Sequence, residues 1–274
     1  MKKTFKTLMA AVVLSVVPAT YAGAQDLSKW EDSGYFYDGL AYVKDANGKF
    51  GYVNEQGTLV IPCKFKDAYD FEEGVARVID DNDKYGLIDT KGNLIVPCKW
   101  QSISSFAEGL ALVSNESWLY GFIDKTGKVV IPCKWQAASS FSEGLSSVND
   151  DNYKNGFIDK TGKVVIPCTW DNAEPFYGGQ SVVRDANGKY GIIDKTGKVL
   201  YPCKWNGIIR FENGLCAVQD ASEKWGYMDE SGNLALPCQW EDVWSFGADG
   251  EAYVKVGEDK WVWIDRTGKV VREE

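Results

Sequence analysis

The sequence contains no histidine. That absence removes the commonest general base and the commonest metal ligand. Ser-His-Asp and Cys-His catalysis are excluded, and so is a histidine-ligated zinc. Basic charge is scarce as well: 30 Lys and Arg stand against 39 Asp and Glu, a formal net charge of −9. A chain this acidic repels phosphate backbones, which argues against nucleic acid and against an anionic membrane surface as partners. Membrane-spanning runs are missing too. The apolar stretch from Leu8 to Val17 is too short to cross a bilayer, and no later one is long enough, so no membrane insertion is expected.

The short run reads instead as an export address. Lys2, Lys3 and Lys6 precede it, and Ala22-Gly23-Ala24 follows it as a small-residue cleavage signal. Residues 1–24 are expected to be a signal peptide, and residues 25–274 the mature domain, starting at Gln25 and secreted or periplasmic. The first cysteine is Cys63, so no lipid-anchor cysteine sits at the cleavage site. Removing the three leader lysines leaves 27 basic residues against 39 acidic ones, a net charge of −12.

What the chain has in quantity is repetition. Cysteines recur every 35 residues at Cys63, Cys98, Cys133, Cys168, Cys203 and Cys238, each directly after a proline. An aromatic follows two positions later, from Phe65 to Trp240, and Trp30 continues that series upstream. A phenylalanine keeps the same step from Phe36 to Phe246, as do two glycine series that begin at Gly51 and Gly57. The seventh unit departs from the pattern: Val262 replaces its first glycine, and its tail, Val271 to Glu274, lacks Pro, Cys and the aromatic. From Trp30 onward the chain is seven such units, with almost nothing left for another domain.

The clearest copy runs from Phe106-Ala107-Glu108-Gly109-Leu110-Ala111 through Tyr120-Gly121-Phe122-Ile123-Asp124 to Val130-Ile131-Pro132. It resembles the bacterial WG (KWG) repeat, and the resemblance covers essentially the whole mature chain. That family carries no general assigned activity and no catalytic residues, so the resemblance implies architecture rather than chemistry. The regular cysteine after proline departs from the family pattern.

Within the unit 101–135 the residues predict strands near 102–106, 110–113, 119–124 and 129–131, with Pro132 ending ladder donation. The fold class is therefore all-β: seven tandem repeats of three to four antiparallel strands. Sheets covered on both faces suit a seven-bladed β-propeller, with an open β-solenoid as the alternative. The cysteines follow from the same choice. Equivalent positions in packed sheets lie about 10 Å apart, beyond the roughly 4.4–6.8 Å a disulfide spans, so they read as buried free thiols. Strand-on-strand stacking would bring them to about 4.8 Å and permit pairing. Cys216 breaks the series, and its pairing with one periodic cysteine stays open.

Periodic aromatics are best read as core, because every unit needs the same packing while a binding site rarely needs seven copies. The periodic aspartates from Asp89 to Asp265 each precede x-x-Gly and read as turn caps. The acidic loops at 80–83 and 149–152 lack the calcium-loop pattern. No catalytic residue, metal site or cofactor is expected. Function then falls on aromatics off the beat: Trp118 in a polar loop, Trp244 between Trp240 and Phe246, and Trp261 and Trp263 in the seventh unit. The leading expectation is an exported non-enzymatic protein that binds a protein or carbohydrate partner. A structural or adhesive cell-envelope array is one alternative. A glycoside hydrolase using two carboxylates in one pocket off the beat is another, and no such pair stands out in the sequence.

Overall fold

Turn chemistry shapes each unit, and the third shows how. In the computed structural model, which describes residues 29–273, its strands are Ser102–Ala107, Leu110–Ser114, Tyr120–Asp124 and Val129–Trp135. Glu108 and Gly109 both adopt positive φ, 53° and 87°, and form the two-residue turn that matches strand twist. The next connection is organised by Asn115, whose side chain accepts the amides of Ser117 and Leu119 at 3.0 Å. In the third, the Asp124 carboxylate accepts the Thr126 amide at 2.9 Å and the Thr126 hydroxyl at 2.6 Å. Those bonds, the hydroxyl's first, hold its carboxyl below the usual range. The signal peptide and cleavage site expected at 1–24 lie outside the described residues.

The fourth strand corrects the sequence reading. It does not stop at Pro132 but continues to Trp135 through a bulge, where pairing jumps from Phe122–Ile131 to Tyr120–Trp135. Proline is tolerated because this is the outermost strand, where a missing N–H breaks no ladder. The bulged backbone presses on Gly121: a Cβ there would lie 2.5 Å from the Ile131 carbonyl oxygen and 2.7 Å from the Cys133 nitrogen. The glycine beat and the Pro-Cys beat are therefore two halves of one contact. The seventh unit loses both together, and Val262 pairs directly with Glu273.

Seven four-stranded antiparallel sheets result, spanning 32–65, 67–100, 102–135, 137–170, 172–205, 207–240 and 242–273, each with its strands in sequence order. The described residues contain no helix. The core lies between sheets. Leu110, Phe122, Ile131 and Trp135 of the third meet Phe141, Val148 and Ile158 of the fourth. Phe122 and Phe141 lie 4.7 Å apart, as do Phe157 and Phe176 one interface later. Trp100, Trp135, Trp205 and Trp240 are buried, so the periodic aromatics are inter-sheet wedges.

Six successive interfaces are built this way. The remaining cluster, Ala41, Val43 and Val53 with Trp30, Phe36 and Cys63, draws only on the first unit and its lead-in. Among the described residues no apolar cluster or strand pairing joins the seventh sheet to the first, so the sheets are not closed into a ring, as in the solenoid alternative. All seven cysteines are free thiols. Cys98, Cys133, Cys168, Cys203 and Cys238 each sit in a different interface, so a sheet separates every neighbouring pair. The six periodic ones are half-buried, and Cys216 is buried and donates toward the Ile209 carbonyl at 3.2 Å. Burial pushes the Cys216 thiol up to about 12.

Candidate functional site: a cleft between the fifth and sixth sheets

The Glu-Gly turn does more than reverse the chain. Glu108 reaches into the fourth sheet, where its carboxylate accepts the Gly144 amide at 3.1 Å and the Lys160 ammonium at 2.9 Å. Lys160 also donates to the Glu108 carbonyl at 3.1 Å. Glu143 repeats the contact one sheet later, with Gly179 at 2.9 Å and Lys195 at 3.0 Å. Glu73 pairs with Lys125, and Asp38 accepts the Gly74 amide at 2.7 Å. A carboxylate and an ammonium from adjacent units thus clamp three pairs of neighbouring sheets along one end of the array, and at the first interface the Asp38 carboxylate does so through an amide, with Thr90 in the lysine slot. The Lys160 hydrogen bond holds the Glu108 carboxyl below its usual range.

Between the fifth and sixth sheets both clamp members are replaced. Gly178 stands where the glutamates stand, and Glu230 where the lysines stand. A cavity of about 250 Å³ opens there. Glu174, Tyr177 and Gln180 line it from the fifth sheet, and Arg210, Asn213 and Glu230 from the sixth. The Arg210 guanidinium lies 4.4 Å from the Tyr177 ring centroid, a cation–π stack, and its Nε is 3.6 Å from Glu212. Burial raises the Glu174 carboxyl, opposed by Arg210. Asn213 is fixed by donating to the Phe246 carbonyl at 2.8 Å. At the next interface Asn213 and Arg266 take the clamp slots, with Arg266 donating to the Asn213 carbonyl at 2.6 Å. The cleft is thus flanked by joined interfaces. It offers two carboxylates, a guanidinium, two amides and two aromatic rings, Tyr177 and Phe211, in one concave space.

None of the four tryptophans singled out in the sequence lines this cleft. Trp118 is 59% exposed at a hairpin tip. The other three gather around Tyr253 on the seventh sheet. Trp261 stacks on Tyr253 at 4.8 Å, Trp263 lies at 5.0 Å, and Trp244 meets it edge-on at 5.9 Å. The Arg272 guanidinium covers Trp263 at 4.2 Å and pairs with Glu251 at 2.8 Å. Ala252, Val254, Val262 and Ile264 face the sixth sheet, so strand alternation puts Tyr253, Trp261 and Trp263 on the outer face. There they occupy the slots that Tyr42, Phe50 and Tyr52 fill in the first sheet.

Sequence reasoning missed Glu174 and Glu230. The signal was present, since Gly178 and Glu230 each break a series of glutamates or lysines, but only the folded chain shows that the two series touch.

A family model described as WG containing repeat matches residues 50–84, 85–117, 120–153, 156–190, 190–221 and 225–261. No curated protein sequence matches the chain. Among solved structures, the computationally designed Ika8 protein is 10% identical, with 88% of this chain and 85% of that one covered, at a TM-score of 0.42. BamB from Moraxella catarrhalis is 11% identical over 84% and 80% of the two chains, at 0.37. The WD40 β-propeller domain of Doa1 is 15% identical over 79% and 86%, at 0.32.

Proposed function

We propose, for a chain that belongs to the WG containing repeat family, the role of an exported, non-enzymatic binding protein that holds a glycan between its fifth and sixth sheets. One observation carries this reading: the interface where glycine and glutamate replace the clamp's glutamate and lysine opens a polar, aromatic-walled cleft. A pyranose presents hydroxyl groups and an apolar face. Gln180, Asn213 and Arg210 supply donors for the first, and Tyr177 and Phe211 supply flat surfaces for the second. At about 250 Å³ the cleft is below the roughly 300–1,000 Å³ of drug-sized sites, so it suits a terminal sugar rather than the middle of a chain. Export rests on the leader at 1–24, and amino-terminal sequencing of the mature protein should begin at Gln25.

The test restores the clamp. Gly178→Glu with Glu230→Lys recreates the arrangement of Glu143 and Lys195, and Gly178 already has the positive φ, 59°, of the other turn residues. A glycan array should identify a ligand for the native protein, and the double variant should lose it while becoming more stable. Undiminished binding by that variant would sink the proposal.

A second reading is favoured by Glu174 and Glu230 sharing one cleft, the carboxylate pair that a glycoside hydrolase needs. Release of reducing sugar from the bound glycan, abolished by Glu174→Gln, would establish that reading. An intact glycan after long incubation supports binding alone.

A further inference from the structure

The opposite end of the array carries a second feature that the cleft does not use. There each second strand is joined to the third by a hairpin whose tip residue has positive φ. Gly48, Asp83, Gly188 and Glu223 occupy that slot in four units. In the third and fourth units it is held by Trp118, φ 59°, and Tyr153, φ 57°. A left-handed backbone disfavours large side chains, and burial returns nothing here, since the two residues are 59% and 70% exposed. Among the described residues neither ring stacks on another. The two strained, exposed aromatics stand on neighbouring sheets at the same end.

Their surroundings are acidic. The tips at 80–84, 115–119 and 150–154 hold six acids and two lysines. The side chains of Asp81, Asp83 and Glu116 are 70%, 73% and 81% exposed, even with Lys49, Lys66 and Lys84 paired to them. Asp151 accepts from Gln136 at 3.1 Å. Packed sheets lie about 10 Å apart. In a polyproline II segment, which rises about 3.1 Å per residue with three residues per turn, every third side chain faces the same way about 9 Å from the last, so two aromatic faces set one sheet apart match cationic side chains three residues apart.

We infer that Trp118 and Tyr153 form a docking surface for a basic peptide segment in polyproline II conformation, with arginine or lysine at every third position. Each ring takes one cation on its face, and the flanking Asp81, Asp83, Glu116 and Asp151 draw the segment in. This surface is independent of the glycan cleft.

The probe is a labelled nonapeptide with arginine at every third position, separated by serine and glycine, titrated against the mature protein by fluorescence anisotropy. Native protein should bind it and ignore the same peptide with glutamate for arginine. Trp118→Gly with Tyr153→Gly should weaken binding at least tenfold and raise the melting temperature, because glycine is native to this slot. Arg210→Ala, in the cleft, should leave the titration unchanged. The inference is overturned if the native protein does not bind, or if the double variant binds as well as native. It is equally overturned if binding disappears at high salt identically in both proteins, which is charge attraction without the rings.

Discussion

Gly121→Ala tests the central contact of the repeat. Its φ is ordinary, so the residue is not glycine for conformational freedom. The added Cβ would stand 2.5 Å from the Ile131 carbonyl oxygen, 2.7 Å from the Cys133 nitrogen and 2.8 Å from the Pro132 carbonyl carbon. All three are backbone atoms, so no side chain can swing aside. Relief requires lifting the bulged fourth strand off the third. Overpacking costs roughly 1–3 kcal/mol, and each ladder bond loosened adds about 1 kcal/mol, so the expected loss is about 3 kcal/mol. For a chain of this size 1 kcal/mol moves the melting temperature by roughly 2–4 °C, so a fall of about 6–12 °C is expected. Gly48→Ala is the control. Its nearest neighbour to a Cβ is the Lys44 Cε at 3.8 Å, but its φ is 76°. It should cost only about 1 kcal/mol, most of it recovered by asparagine, which tolerates that backbone. Asparagine should not rescue position 121. Guanidinium titrations of the four variants, alanine and asparagine at each position, decide the matter. A Gly121→Ala protein within about 0.5 kcal/mol of native would refute the account of why the two beats travel together.

Other consequences are equally direct. Glu143→Ala removes an ion pair and an amide acceptor across one interface and should cost about 1 kcal/mol, while Gly178→Glu with Glu230→Lys should gain a similar amount, both read by thermal unfolding. Asp124, Asp159, Asp194 and Asp265 have carboxyls lowered by threonine hydroxyls in their turns. The unfolded chain therefore binds protons more readily, so stability should be full above about pH 4 and drain away as the pH falls further, followed by circular dichroism. The thiols run the other way. Burial raises all seven, so the folded state holds their protons more tightly and stability should decline once the pH rises above about 8.5, the unfolded thiol value. Titration in denaturant should find seven reactive thiols, and in the native protein Cys216 should react last.

Most of the architecture was legible because a repeat states its own core. The 35-residue beat of Trp, Phe and Gly gave the sheets, the wedges and the aspartate turns before any coordinates. Pro132 misled because proline usually ends pairing, and sequence does not show that a strand is the outermost one. The cleft was illegible for a different reason. Glu174, Gly178, Arg210 and Glu230 come from two units, and their meeting depends on how one sheet leans on the next. Tyr153 was overlooked because tyrosine looks unremarkable in a polar loop until its backbone angle is known. The tryptophans were conspicuous by type, yet three of the four serve the outer face of the last sheet.

The missing clamp also has a mechanical meaning. Seven plates are strung in a row, and at five of the six junctions a side chain or carbonyl of the turn residue forms a polar strut across the same end. After the fifth plate the turn residue is Gly178, and the crossing falls instead to the Tyr201 hydroxyl, which donates to the Glu230 carbonyl at 2.7 Å, and to the Arg210–Tyr177 stack. Bending or twisting load on the row passes through that junction by a different set of contacts from the rest. A ligand seated in the gap would add a further strut there, one that comes and goes with occupancy.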